Sequence, residues 1–79
     1  MNILGQEYNP NNQFKLTIRE IDVLELMRDG KTNSEIAEEL FVSSHTTKAH
    51  IGNIFMKMGV HDRTEAVVQA LKYKIIEFE

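Results

Sequence analysis

Apolar residues recur at helical spacing from Leu16 to about Tyr73 of this 79-residue chain, and nowhere do they alternate long enough to make a strand. Val23, Leu24 and Met27 mark a first helix over about residues 17–29, with Gly30 placed to stop it. Ile36, Ala37 and Leu40 mark a short second helix over about 33–40. Thr47, Ile51, Ile54, Phe55 and Met58 share one arc of a third, over about 44–58, which ends at Gly59. Ala66, Val67 and Ala70 line the inward side of a fourth, over about 62–73. The closing Ile75-Ile76-Glu77-Phe78 is too short for a strand and has no strand to pair with. The pattern predicts an all-α, four-helix domain over residues 15–79. Residues 1–14 show no period, and Asn9-Pro10-Asn11-Asn12 is turn chemistry, so this part is expected to be a flexible N-terminal arm.

Each predicted helix opens on a four-residue phrase that begins with a capping side chain. Three of them, Thr17-Ile18-Arg19-Glu20, Thr32-Asn33-Ser34-Glu35 and Asp62-Arg63-Thr64-Glu65, carry a glutamate three residues on, which is the signature of a capping box. The third helix opens on Ser43-Ser44-His45-Thr46 and has no acid. The short second helix and the longer third are joined by only Phe41, Val42 and Ser43, the proportions of a helix-turn-helix. Phe41 and Val42 are expected to set its angle by packing beneath both helices. By itself this architecture recurs in unrelated functions.

Charge sharpens the contrast. The net charge is −3, but residues 1–43 hold four bases against eight acids, whereas residues 44–63 hold Lys48, Lys57 and Arg63 against Asp62 alone, and all three histidines. A polyanion responds to the local field at the contact more than to the total. With 42% apolar and 27% charged residues the composition is that of a folded domain. The absence of cysteine removes disulfides, thiol chemistry and cysteine-ligated zinc, and fits a reducing, cytoplasmic location. No apolar run approaches the roughly 18 residues of a membrane span. His45 and His50 lie about 140° apart on the third helix with no carboxylate near enough to complete a metal site. Ser43 and Ser44 lack a base and an orienting acid. No metal, cofactor or catalytic residue is expected, and the chain does not read as an enzyme.

The outer face of the third helix is the informative one. His45, Ala49, Gly52, Asn53 and Met56 occupy it, with Lys48 on one flank and Thr46 and Lys57 on the other. No acid occurs from Ser43 to Val60. Gly52 in mid-helix costs about 1 kcal/mol relative to alanine, and with Ala49 it leaves a small, flat spot that a bulky partner can approach. A duplex groove fits, with Ala49 against a thymine methyl, Lys48 and Asn53 donating to base edges or phosphates, and Thr46 and Lys57 reaching the backbone. The competing reading is a helical protein–protein interaction module that uses the Ala49/Gly52 face. His50, at the edge of the apolar stripe, reads as a packing residue. Thr47, inside that stripe, is nearly the shape of valine, and its hydroxyl can bond back one turn.

LTxRE, GxTNxEIAxxLxxS and TxKxHxxNIxxKxGVxxRTxAV occur in order between Leu16 and Val67. The stretch resembles the LuxR-type helix-turn-helix of NarL/FixJ response regulators and quorum-sensing regulators, which stands alone in GerE-like proteins; the resemblance runs to about Ile76. It implies a four-helix domain that binds double-stranded DNA as a dimer and regulates transcription, with the helix over 44–58 in the major groove and RNA polymerase a further candidate partner. Base reading falls by this resemblance on Lys48, Ala49 and Gly52. Backbone contacts fall on Thr32, Asn33, Ser44, His45, Thr46, Asn53, Lys57 and Arg63. Dimerisation falls on the fourth helix, where Val68, Leu71 and Ile75 are left for a partner. Thr47 departs from the family's usual valine. Gly52 stands where some members carry a longer side chain, so no target sequence carries over. The initiating Met1 leans towards a stand-alone regulator over the effector domain of a larger one.

Overall fold

The structure is a computed structural model that describes residues 11–78. It contains α1 (Ile18–Arg28), α2 (Asn33–Leu40), α3 (Ser44–Met58) and α4 (Arg63–Lys72), and no strand among the described residues. Every expected helix is present within a residue or two of its expected ends.

The helix starts follow the capping phrases. Thr17 and Thr32 accept from the N–H groups of Glu20 and Glu35, whose carboxylates accept in return from the Thr17 and Thr32 N–H groups at 2.9 and 2.8 Å. Asp62 makes only half of its box: it accepts from Glu65 N–H at 2.8 Å, but the Glu65 carboxylate takes the N–H of His61 instead. The Asp62 backbone is the reason. Its φ is −151°, against −76° and −75° at Thr17 and Thr32, which turns its own N–H away.

All four helices close alike. Lys31, Val42, Val60 and Ile75 each donate a backbone N–H five residues back, to Leu26, Ala37, Phe55 and Ala70. This closure needs a residue of positive φ just before the donor. Gly30 and Gly59 supply it as expected, but Phe41 and Lys74 supply it at α2 and α4. The left-handed conformation turns the Phe41 ring outward, where it is 95% exposed, so Phe41 does not pack beneath the two helices. Val42 alone is half-buried there.

One core unites the elements. Leu16, Val23, Leu24, Met27, Ile36, Ile54, Met58, Val60, Ala66 and Ala70 are buried together, with α1 packed on α3 and α4, and α2 chiefly on α3. Thr47 is fully buried inside α3, and its hydroxyl donates to the Ser43 carbonyl at 3.2 Å, which makes the valine-shaped position tolerable for a polar group. The closing segment corrects one expectation: Ile75 and Ile76 belong to this core. The turn at Lys74 carries the chain back over the helices and takes Ile75 away from any partner.

Residues 1–10 of the expected arm lie outside the described residues, and its last four are not free. Asn12 exchanges two hydrogen bonds of 2.9 Å with the backbone of Leu16, and Phe14 meets Tyr73 edge-on at 5.8 Å. Residues 12–14, expected in the arm, are thus tied to the helical domain.

Candidate nucleic-acid interface

The N-terminus of α3 is where the four helix starts diverge. Ser43 has φ −76° and ψ 160°, almost the values at Thr17 (−76°, 164°) and Thr32 (−75°, 166°). Its hydroxyl accepts from Thr46 N–H at 3.0 Å and donates to Thr46 Oγ1 at 3.0 Å. No carboxylate enters the first turn of α3. The amides of Ser44 and His45 have no intrahelical acceptor by helix geometry, so this end keeps open N–H donors and a positive dipole end. The backbone is shaped for a capping acid that the sequence withholds.

The outer face of α3 stands in solvent. His45, Lys48, Ala49, Gly52, Asn53 and Met56 are exposed, and Thr46 is half-buried. A Cβ added at Gly52 would meet nothing within 4 Å, so no internal contact accounts for a glycine there. The inner face is the predicted one, with Thr47, Ile54 and Met58 buried and Ile51 and Phe55 packed against the core. No group of acids and histidines among the described residues could hold a metal ion.

Two of the cations expected on the DNA backbone are engaged inside the protein. Lys57 Nζ lies 2.8 Å from a Glu20 carboxylate oxygen and donates to the Lys15 carbonyl at 3.3 Å. Glu20 is only 3% exposed, yet its pKa lies below the usual value. Burial pushes that carboxyl up, but the Lys57 ammonium and the Thr17 N–H together outweigh it and hold the charged form. Lys57 thus neutralises the capping acid of α1 and is not a free phosphate clamp. Arg63, the first residue of α4, donates to the Lys31 carbonyl at 2.7 Å and to Asn33 Oδ1. Its guanidinium braces the start of α2. Sequence reasoning missed both pairings, because Glu20 was already accounted for as a cap and the partners lie 37 and 30 residues apart.

The start of α2 differs from that of α3. Thr32 is exposed and Asn33 half-buried, but the Glu35 carboxylate already occupies the Thr32 N–H, and that bond lowers the Glu35 pKa. A phosphate here would meet the Glu35 charge beside the first-turn amides, a charge that the start of α3 lacks.

α4 presents an apolar groove of about 320 Å³, lined by Met27, Val67, Val68, Leu71 and Phe78, with Arg63 and Thr64 also reaching it. Val68 is 56% exposed, and Leu71 is half-buried against the core. Of the three expected dimer residues, these two remain available and Ile75 does not. Phe78 was not anticipated. Its aromatic character at the end of an apolar segment was the one signal for it.

The comparisons with known proteins bear on the family. The family model described as "Bacterial regulatory proteins, luxR family" matches residues 15–70. The transcriptional regulatory protein DegU of Brevibacillus brevis is 53% identical over 57 residues, 72% of this chain and 24% of its own length. LiaR of Bacillus subtilis, also a transcriptional regulatory protein, is 49% identical over 61 residues, 77% of this chain and 29% of its own. The crystal structure of the response regulator ChrA, of a heme-sensing two-component system, matches with a TM-score of 0.75 at 38% identity, covering 77% of this chain and 30% of that one. The chain spans about a quarter to a third of the length of these relatives. Four helices with these caps, a helix-turn-helix at their centre and a family match over most of the chain lead to one assignment: this chain belongs to the luxR family of bacterial regulatory proteins.

Proposed function

We propose that this chain is a sequence-specific, double-stranded-DNA-binding unit of a transcriptional regulator, with α3 as its recognition helix. The observation that carries the reading is α3 itself: an exposed, acid-free outer face whose first turn withholds the acid that α1 and α2 bring. Lys48, Ala49 and Gly52 face the base edges of the major groove, where a glycine lets the duplex come close. The open amides of Ser44 and His45, with Thr46 and Asn53, take phosphates. The transcriptional regulators DegU and LiaR, which share this domain, support the same class of activity. Two copies joined through Val68 and Leu71 would place two recognition helices on inverted half-sites about one helical turn apart.

The test is an electrophoretic shift series on duplexes selected from a random pool, repeated at several salt concentrations. Expected are a preferred sequence and binding that weakens as salt rises. A chain that leaves every duplex unbound and instead captures a protein helix through the Ala49/Gly52 spot would overturn the reading.

A further inference from the structure

Arg63 stands at the join of two surfaces. It lines the apolar groove of α4, and its guanidinium crosses to the start of α2, where it donates to the Lys31 carbonyl at 2.7 Å and to Asn33 Oδ1. A guanidinium has donors only. The side-chain amide of Asn33 must therefore turn its oxygen towards Arg63 and its NH2 group away. That NH2 makes no hydrogen bond to the described residues. Asn33 is the first residue of α2 and half-buried, so its side chain has little room to reorient. The Thr32 N–H beside it is closed by the Glu35 carboxylate at 2.8 Å.

Resting on the DNA-binding reading, we propose that Arg63 is a positioning residue for Asn33: it fixes the Asn33 amide so that Nδ2 donates to a DNA phosphate beside α2. Arg63 touches no phosphate itself. Its two acceptors lie on either side of Thr32 and are taken by its two terminal nitrogens, which the planar guanidinium holds at a fixed spacing. Lysine offers its donors from a single centre on a flexible stem and does not fix that geometry.

The experiment uses the whole chain and the duplex selected above, with Arg63→Lys, Arg63→Ala, Asn33→Ala, Asn33→Asp and the double variant Arg63→Ala/Asn33→Ala. Each is titrated at a temperature where its melt shows it folded. Arg63→Lys should weaken binding fivefold or more, close to Arg63→Ala, and leave the salt dependence unchanged. The double variant should bind within twofold of Arg63→Ala alone. Asn33→Asp keeps the acceptor for Arg63 and removes the donor, so it should melt no lower than wild type and still lose affinity. In the free protein, the Asn33 side-chain NH2 protons should exchange faster in Arg63→Lys. This variant set remains informative if the Arg63 variants fail to fold, because Asn33→Asp keeps the brace intact. Full affinity in Arg63→Lys with a flatter salt dependence in Arg63→Ala would make Arg63 a direct phosphate contact. Unchanged affinity in both Asn33 variants would leave Arg63 a brace without a role in binding. Either result sinks the inference while the DNA-binding reading stands. Wild-type chain that binds no duplex removes the reading itself.

Discussion

Thr46→Glu tests why α3 begins without an acid. At Thr17 and Thr32 the capping glutamate sits three residues on and accepts from the cap's own N–H at 2.9 and 2.8 Å. Ser43 has the same backbone torsions to within a few degrees, so the new carboxylate would find the Ser43 N–H in the same place. Completing the box and placing an acid at the positive helix end should together favour the fold by about 0.5–1 kcal/mol. The substitution removes the exposed Ser43–Thr46 hydroxyl bond of 3.0 Å, worth about 0.5 kcal/mol. The net effect is about 0 to +0.5 kcal/mol, a rise in Tm of at most a few degrees for a domain of this size.

DNA binding should move the other way. Seated on the Ser43 N–H, the carboxylate would lie beside the open amides of Ser44 and His45 proposed to receive a phosphate, and its charge would repel the sugar-phosphate backbone. Like charges about 6 Å apart at an effective dielectric between those of surface protein and water repel by roughly 1–3 kcal/mol. That corresponds to a 5- to 150-fold loss of affinity, one that shrinks as salt rises. A thermal melt beside binding titrations at two salt concentrations measures both halves. An unchanged or higher Tm with unchanged DNA affinity would refute the reasoning, because the first turn of α3 would then lack its acid for no reason connected with a phosphate.

Gly52→Ala meets nothing within 4 Å and should raise stability by about 1 kcal/mol while weakening DNA binding; tighter binding would show that the duplex does not need the space. Lys57→Ala leaves the buried Glu20 carboxylate with Thr17 as its main partner and should cost about 1–3 kcal/mol in a denaturant melt, with affinity for DNA unchanged in the folded protein. The depressed pKa of Glu20 adds a pH signature: the stability it contributes is present above its ordinary value near 4.5 and is lost as the pH falls through the lower folded-state value, a loss that Glu20→Gln should remove. Val68→Asp should leave the fold intact and weaken a double site much more than a half-site; equal losses would take α4 out of the dimer contact.

The fold was legible because its signals are local. A cap, an apolar stripe and a stop glycine each lie within one helix, and they placed all four. The two left-handed residues that are not glycine were not legible: Phe41 and Lys74 carry no sequence mark of positive φ, and so the exposed ring at 41 and the buried Ile75 both came out reversed. The outer face of α3 was legible for the same local reason, since periodicity alone sorts Ala49 and Gly52 from Ile51 and Ile54. Cations are different. A lysine or arginine on a helix wheel looks free whatever lies across from it; Lys57 finds its partner only through the packing of α1 on α3, and Arg63 by reaching from the start of α4 to Lys31 and Asn33.

Those two pairings change what the interface can do electrostatically. Of the four cations on and beside the elements proposed to face DNA, Lys57 is paired with Glu20, and Arg63 is held by Lys31 and Asn33. Lys31 lies near Asp29 and Glu35, whose pKa values are lowered chiefly by Arg28 and by the Thr32 N–H and in smaller part by Lys31. Lys48 is left as the one cation of the exposed α3 face that makes no ion pair among the described residues. The remaining phosphate donors are neutral amides and hydroxyls, which position a phosphate but release few counterions. The logarithm of affinity should therefore fall with the logarithm of salt at a slope of roughly −1 to −2 per half-site, shallow for a protein that makes many backbone contacts. Lys48→Ala should flatten that slope by about one unit, and Lys57→Ala should leave it alone. A titration series across salt on a selected half-site decides the matter. A slope steeper than about −4, or one that flattens equally in both variants, would mean that the Lys57–Glu20 pair opens on DNA and that the ammonium moves to a phosphate after all.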